Sequence, residues 1–188
     1  MDNVTALFRQ MLEEGIPPDT RTLNVLIRGY AQSLHLNDAL RLFHQMRPLY
    51  GCEPDAFTYS YLVHGLSAQG RTRNARELFD EMRGNGLLPT EPACNAFVGA
   101  LAMAGEARDA ERVMWEMARA GRVVDDITRR ALVEELSRVG KREEADRLAR
   151  EMEQKGIVSA RELRALLSSI RNDDDDNLDV DDSGRNTW

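Results

Sequence analysis

The chain has 188 residues, 42 % hydrophobic and 30 % charged, a balance that predicts one folded unit with a buried core. Six prolines and 6 % aromatic residues favour helices over a sheet-rich fold. Two cysteines, Cys52 and Cys94, are too few for a disulfide framework, and no apolar run is long enough to predict a transmembrane helix. The first residues do not have the pattern of a targeting peptide.

The negative charge is concentrated at one end of the chain. The formal net charge is −7, and residues 171–188 contain seven Asp against two Arg. Residues 171–188 are therefore predicted to form a disordered acidic tail. The remaining residues are close to neutral, so they lack the basic surface that is usual in nucleic-acid-binding proteins.

One methionine recurs at intervals of 35 or 36 residues, and alanines and glycines recur at nearly the same interval. A period of this length predicts a solenoid of stacked helical units, whose function is usually binding along an extended surface. The methionines are Met11, Met46, Met82, Met117 and Met152.

Aligning these repeats divides the chain into units. Full units are predicted at 20–55, 56–90, 91–125 and 126–160, the last of them degenerate. Residues 2–19 match only the second helix of a unit, and 161–170 are predicted to form a capping helix. The fold class is therefore all-α, an α-solenoid of helix-turn-helix repeats.

Each full unit shows two amphipathic helices with apolar residues at helical spacing. In the first unit they are predicted near 21–33 and 37–47. Pro48 is expected to end the second helix and to place the unit's extra residue in a surface loop. Good N-cap residues precede the first helices, namely Asp19, Asp55, Thr90 and Asp125.

The partial unit at 2–19 has no first helix to pack against. Its apolar residues Leu7, Phe8 and Met11 are predicted to form an exposed stripe that could contact another protein.

The units share longer motifs as well as a period. They read T-L-N-V-L-I-R-G-Y (22–30) and T-Y-S-Y-L-V-H-G-L (58–66), then N-D-A-L-R-L-F-H-Q-M (37–46) and N-A-R-E-L-F-D-E-M (74–82). Units end in G-I-P-P-D (15–19) or G-C-E-P-D (51–55). Together these motifs resemble the pentatricopeptide repeat in its plain 35-residue form. The broken ends suggest a fragment of a longer member.

The resemblance implies a right-handed superhelix whose first helices line a concave groove for single-stranded RNA, with one base read per repeat. A residue on the first helix and the last residue of the unit would set base preference. The pairs are Asn24 with Asp55, Ser60 with Thr90, and Asn95 with Asp125. The Asn–Asp pairs resemble the uracil-preferring type, and Ser60 suggests a purine. Arg130 with Ala160 corresponds to no base.

Residues three positions before the base-reading ones would stack on or clamp the bases, and these are Arg21, Phe57, Pro92 and Ile127. A plainer interpretation also stays open, in which the Asp residues are only helix caps and the Asn residues only surface polar groups. The lysine that the family often has late in the first helix is replaced by Gln32, Ala68 and Met103. Weak RNA affinity is therefore expected.

No catalytic or metal-binding pattern is present in the sequence. The three histidines lack partners at metal-ligand spacing. No Ser/His/Asp or Cys/His set is placed where the repeats would bring its members together. We therefore expect a protein that is not an enzyme and needs no cofactor.

The resemblance implies that the chain binds single-stranded RNA in a mitochondrion or plastid and affects RNA processing, stability or translation. Two alternatives stay open. The chain could be a protein-binding scaffold, such as an architectural subunit of a ribosome or another large complex, or a truncated product with little function of its own.

Overall fold

The computed structural model describes residues 2–172 of the chain and the side chains of residues 3–170. This part consists of ten helices and contains no strand. They are α1 (Asp2–Glu13), α2 (Thr20–Gln32), α3 (Leu36–Tyr50), α4 (Ala56–Ala68), α5 (Thr72–Gly84), α6 (Glu91–Met103), α7 (Ala107–Arg119), α8 (Asp126–Arg138), α9 (Arg142–Gln154) and α10 (Ala160–Asn172).

The helices pair into antiparallel hairpins that stack in chain order. The first helices α2, α4, α6, α8 and α10 pack on one another in one continuous layer. The second helices α3, α5, α7 and α9 pack on their own partner and on the next first helix. The predicted all-α solenoid is therefore confirmed.

The repeated small and large residues explain why neighbouring helices fit together. The alanine of each second helix, for example Ala75 or Ala110, is fully buried where two helices cross closely. The methionine seven residues later, such as Met82 or Met117, is also buried and fills the space between hairpins.

Left-handed residues end the first helices. Gly70 has φ +67°, and the next residue's N–H donates to the carbonyl of Leu66 at 2.9 Å, which closes the helix end. Unit 20–55 has Leu34 at this position, with φ +62°. This left-handed conformation is energetically unfavourable for leucine, because its Cβ crowds the backbone.

The prediction for Pro48 is wrong. The helix α3 continues through Pro48 to Tyr50 and ends at Gly51, which is left-handed with φ +62°. The N–H of Cys52 donates to the carbonyl of Met46 at 2.9 Å and closes the extended turn. Pro48 has no N–H to donate to the carbonyl of His44, so the helix continues without that one bond. The extra residue lengthens the helix instead of a loop.

The longer α3 also changes the expected stripe on α1. The ring of Tyr50 meets that of Phe8 edge to face, with centroids 6.0 Å apart, so Phe8 is half-buried. Met11 is half-buried as well, whereas Leu7 is 66 % exposed. The prediction of a fully exposed stripe is therefore wrong for Phe8 and Met11 and correct for Leu7.

The predicted helix caps are present at three of four positions. Asp19, Asp55 and Asp125 accept hydrogen bonds from the backbone N–H groups at the start of α2, α4 and α8. Thr90 stands at the same position before α6, but its side chain makes no capping bond. Its hydroxyl is therefore not part of the helix start.

The C-terminal helix differs from the predicted one at both ends. α10 begins at Ala160 and ends at Asn172, and Ser159 and Glu162 form a reciprocal cap in front of it. Ser159, and not Ala160, therefore occupies the position of Asp125. The two first residues of the expected acidic tail continue the helix, and 173–188 lie outside the described residues.

Candidate nucleic-acid interface

The three residue pairs suggested by the sequence are each joined by a hydrogen bond in the structure. In every case the first residue lies early in a first helix, and the second is the N-cap of the next first helix. Since the first helices stack in one layer, the pairs form a row along one face of the solenoid.

The pair Asn24–Asp55 is closely bonded and largely buried. Asn24 is 7 % exposed, and its Nδ2 donates to Asp55 Oδ1 at 3.0 Å while its Oδ1 accepts from the Thr58 hydroxyl at 2.6 Å. Asp55 Oδ1 also accepts from the N–H groups of Phe57 and Thr58 at 2.9 Å. Among the described residues no partner approaches Asp55 Oδ2, so this oxygen can accept from a ligand.

The pair Asn95–Asp125 is more open. Asn95 Nδ2 donates to Asp125 Oδ2 at 2.6 Å, and the Asp125 N–H donates to Asn95 Oδ1 at 3.1 Å. Asp125 Oδ1 caps α8 by accepting from the Thr128 N–H at 2.8 Å. Asn95 is only half-buried, so its second N–H and the second lone pair of its oxygen remain accessible to a base edge.

The middle pair repeats part of this geometry with smaller side chains. Ser60 Oγ accepts from the Thr90 N–H at 3.0 Å, as Asn95 Oδ1 does from the N–H of Asp125. Ser60 is nearly fully buried. A shorter side chain at this point leaves more room in front of it than Asn does.

No comparable pair exists in the fourth unit. Arg130 is exposed, and the neighbouring Arg129 is buried, where it donates to the carbonyl of Val124 and approaches Glu162 at 3.3 Å. The hydrogen-bonded arginine at this junction is therefore Arg129 and not Arg130, and no arrangement like the Asn–Asp pairs is formed.

The four residues expected to clamp bases stand in equivalent places. Each is the second residue of a first helix, and all four side chains are exposed. They are Arg21, Phe57, Pro92 and Ile127. Their exposure fits a contact with a ligand lying across the helix starts.

A cavity of about 430 Å³ lies beside Ser60 and Thr90. Its wall includes Arg28, Tyr61 and His64, none of which the sequence analysis selected. Helical spacing could have found them, because Tyr61 and His64 follow Phe57 by four and seven residues and share its face. Arg28 likewise follows Arg21 by seven residues.

Two ionisable groups near these helices have pKa values that their surroundings shift. The backbone N–H of Thr22 bonds to Asp19 and lowers the pKa of that carboxyl, so the α2 cap stays ionised to a lower pH than an ordinary Asp does. Burial raises the pKa of the Cys94 thiol to about 11, which keeps it protonated and unreactive.

The segment 2–172 has no helix that is long and apolar enough to cross a membrane. It also has no group of three or more His, Cys, Asp or Glu side chains arranged to hold a metal ion.

Two family models match this chain. The model of the PPR repeat family matches residues 20–68, and that of the PPR repeat matches 57–87 and 93–122, together just over half of the chain. The chain belongs to the pentatricopeptide repeat family. The matched residues contain both members of the pair Asn24–Asp55 and the first members of the other two pairs, Ser60 and Asn95, whereas Thr90 and Asp125 lie outside them.

Curated relatives are pentatricopeptide repeat-containing proteins of Arabidopsis thaliana. One with a mitochondrial designation is 62 % identical over 89 residues, which are 47 % of this chain and 20 % of the relative. One with a chloroplastic designation is 34 % identical over 102 residues, 54 % of this chain and 13 % of the relative. The chain thus spans at most about a fifth of the length of these relatives.

Solved structures share the fold. The maize pentatricopeptide repeat protein PPR10 superposes with a TM-score of 0.69 at 24 % identity, over 89 % of this chain and 22 % of that protein. It has also been solved in complex with an 18-nt psaJ RNA element, with a TM-score of 0.62. The PPR domain of Arabidopsis thaliana protein-only RNase P 1, in complex with tRNA, gives 0.72 at 13 % identity, over 90 % of this chain and 89 % of that domain.

Proposed function

We propose that this chain binds single-stranded RNA with base selectivity along the layer formed by α2, α4, α6 and α8. It acts by occupying the RNA, without catalysis, and so affects RNA processing, stability or translation in a mitochondrion or plastid. The observation that carries the proposal is the row of three hydrogen-bonded pairs at the junctions of successive first helices. Their regular spacing suits a ligand that is itself a regular polymer.

The open Asn95–Asp125 pair offers the chemistry for a pyrimidine edge. The second N–H of the Asn95 amide can donate to a carbonyl oxygen of uracil, and its oxygen can accept from the ring N–H. Asp125 holds the amide in one orientation through the 2.6 Å bond, so the amide meets the base with its donor and acceptor already placed. Uracil is therefore the base proposed for this pair, and also for Asn24–Asp55.

The middle pair is proposed to accept a purine. Ser60 is short and faces the 430 Å³ cavity, so the larger base has space there that the Asn-containing junctions fill with side chain. The ordered preference is then uracil, purine, uracil across the three units.

Affinity is expected to be modest because few cations lie on α2, α4 and α6, the first helices that carry Asn24, Ser60 and Asn95. Sequences of α4 and α6 contain no Lys or Arg, and α2 contributes Arg21 and Arg28. Contacts to phosphate usually supply much of the affinity of a nucleic-acid-binding protein. Selectivity in this chain therefore depends more on base contacts than on charge.

Known proteins give the proposal further support. Relatives with mitochondrial and chloroplastic designations point to an organelle. Neighbours of the same fold have been solved with an RNA element or a tRNA. Because this chain covers only a small share of those relatives, its cellular role is inferred for the RNA-binding segment alone.

Replacement of Asn95 by Ala tests base reading directly. In a gel-shift or anisotropy titration with an oligouridine containing one central adenosine, Asn95→Ala should weaken binding by about 5- to 20-fold, since one good base contact is lost. Asn74→Ala removes the same amide from an exposed site on α5 and should leave binding unchanged. Equal affinities for wild type and Asn95→Ala would show that Asn95 reads no base.

A protein-binding scaffold is the second candidate. The observation that favours it is the exposure of Leu7, Leu12 and Ile16 on and after α1. Added salt separates the two functions, because RNA binding should weaken as salt rises, whereas docking of an apolar face should not. Retention of a protein partner together with no measurable affinity for RNA would favour the scaffold.

A further inference from the structure

The cavity beside Ser60 has a composition unlike the rest of the first-helix layer. Ten residues line it, among them two aromatic rings, one guanidinium and one imidazole, and none of the ten carries a carboxylate. Its volume of about 430 Å³ lies in the range of small-ligand sites. The principal wall residues are Arg28, Phe57, Ser60, Tyr61, His64 and Thr90.

Arg28 is an exposed residue of α2 that lies near the ring of Tyr61 on α4. Its Cζ lies 5.9 Å from the centre of the Tyr61 ring, and in the described part of the chain it has no hydrogen bond or ion pair. Two arginines of α5 differ, because Arg76 and Arg83 form ion pairs with Glu106 and Glu116 of the next hairpin. An arginine that lies on a ring without an acidic partner keeps its N–H donors available for an anion.

The aromatic residues continue the surface on which a base could rest. Phe57 and Tyr61 lie one helical turn apart, with ring centroids 6.3 Å apart and planes inclined by 32°. Phe57 is exposed and Tyr61 is half-buried, so the two rings form a step from the helix start into the cavity. His64 extends this face by a further turn and is exposed.

We infer that Arg28 and Tyr61, with His64 beside them, form an additional nucleotide contact at the junction of α2 and α4. The inference rests on the proposed RNA-binding function and assigns residues outside the three base-reading pairs. Arg28 binds the phosphate, and the face of Tyr61 supports the sugar or base of the nucleotide at Ser60. A ligand with both an aromatic ring and a negative charge satisfies the two halves of the cavity at once.

Two substitutions that each remove one positive charge, one in the cavity and one elsewhere, separate this contact from the general charge of the protein. Arg28→Gln should weaken binding of the same adenosine-containing oligouridine by about tenfold and reduce the slope of log affinity against log salt by about 0.7, the value for one phosphate contact on a single strand. Arg73→Gln is the matched control, because Arg73 is exposed on α5 and pairs only with Glu77 of its own helix. It should change neither quantity appreciably.

Two variants of Tyr61 test the role of the ring. Tyr61→Leu should weaken binding by about tenfold, because stacking on the ring is lost. Tyr61→Phe keeps the ring and should bind as the wild type does. Circular dichroism of all variants checks that the helices are intact, so a loss of affinity in a folded variant reports on the contact.

Each outcome of these titrations supports or overturns the inference. Wild-type binding that is unaffected by Arg28→Gln and Tyr61→Leu overturns the additional contact while leaving the proposed function in place. Absence of wild-type RNA binding overturns both. Adenosine monophosphate that competes as well as the oligonucleotide would show a mononucleotide site, and would also overturn the contact with an RNA strand.

Discussion

At the scale of single residues, the same side chains serve the fold and the candidate site. Asp55 and Asp125 each cap a helix with one carboxylate oxygen. The other oxygen of Asp125 holds Asn95, whereas that of Asp55 has no partner among the described residues. The cap and the base-reading interpretations of these residues are therefore compatible, because a carboxylate has two oxygens.

A stability prediction concerns Leu34, which ends α2 with φ +62° and is 76 % exposed. Leu34→Gly should stabilise the fold by about 0.5–1 kcal/mol, since the left-handed strain of an L-residue exceeds the extra entropy of glycine in the unfolded chain. Urea denaturation measures this change. Leu88→Gly, in a loop with ordinary φ, is the control and should destabilise; a loss of stability in Leu34→Gly would mean that the leucine makes a contact that matters.

At the scale of the helices, close approach decides which residues fit. A Cβ added to Gly65 on α4 would lie 3.0 Å from Ala31 Cβ and 3.1 Å from Leu36 Cδ1. A Cβ added to Gly99 on α6 would meet no atom within 4 Å. The packing around Gly65, between α2 and α4, is therefore tighter than the packing around Gly99 on α6, although both glycines occur in similar sequence surroundings.

Opposite effects are expected from the same substitution at these two glycines. Gly99→Ala should stabilise by about 0.5–1 kcal/mol, because alanine favours a helix interior. Gly65→Ala should gain nothing or destabilise by about 1–2 kcal/mol, since the methyl of Ala31 cannot rotate away. Thermal unfolding of the two variants measures the difference. Equal stabilisation in both would show that α2 and α4 can separate without cost.

At the scale of the whole molecule, stability should vary along the stack. In a solenoid each unit contacts only its neighbours, so a helix packed on both sides is held by more contacts than a helix packed on one side. α4 contacts α2, α3, α5 and α6, and its residues Tyr59, Leu62 and Leu66 are fully buried. α1 meets the rest mainly through half-buried residues such as Val4 and Phe8.

Hydrogen exchange should report this difference. Backbone amides of α1 are expected to exchange at least about a hundredfold faster than those of α4, because local opening at an end exposes little apolar surface. Mass spectrometry of peptides from 2–13 and 56–68 measures the two rates in one sample. Comparable rates would mean that α1 opens only with the whole stack.

Much of the candidate site could be predicted because it repeats. The resemblance to the pentatricopeptide repeat implied the pairs Asn24–Asp55 and Asn95–Asp125, and the period places their members at equivalent positions in the stacked units. Arg28 and Tyr61 could not be selected in this way, because they occur in one unit each and have no repeated counterpart. Their proximity, 5.9 Å from guanidinium to ring, depends on how α2 packs against α4.

The sequence by itself determined the helical hairpins, the number of repeat units and their stacking order, because apolar spacing is a local feature that recurs with the 35-residue period. It was misleading at Pro48, because the helix continues past the proline to the left-handed Gly51 although the proline cannot donate a helical bond. The contact of Tyr50 with Phe8 accompanies the longer helix. Only the tertiary structure decided that Ser60 faces a cavity with an unpaired arginine and two aromatic rings. Such a cavity arises between helices of different units, where shape depends on side chains that are distant in sequence.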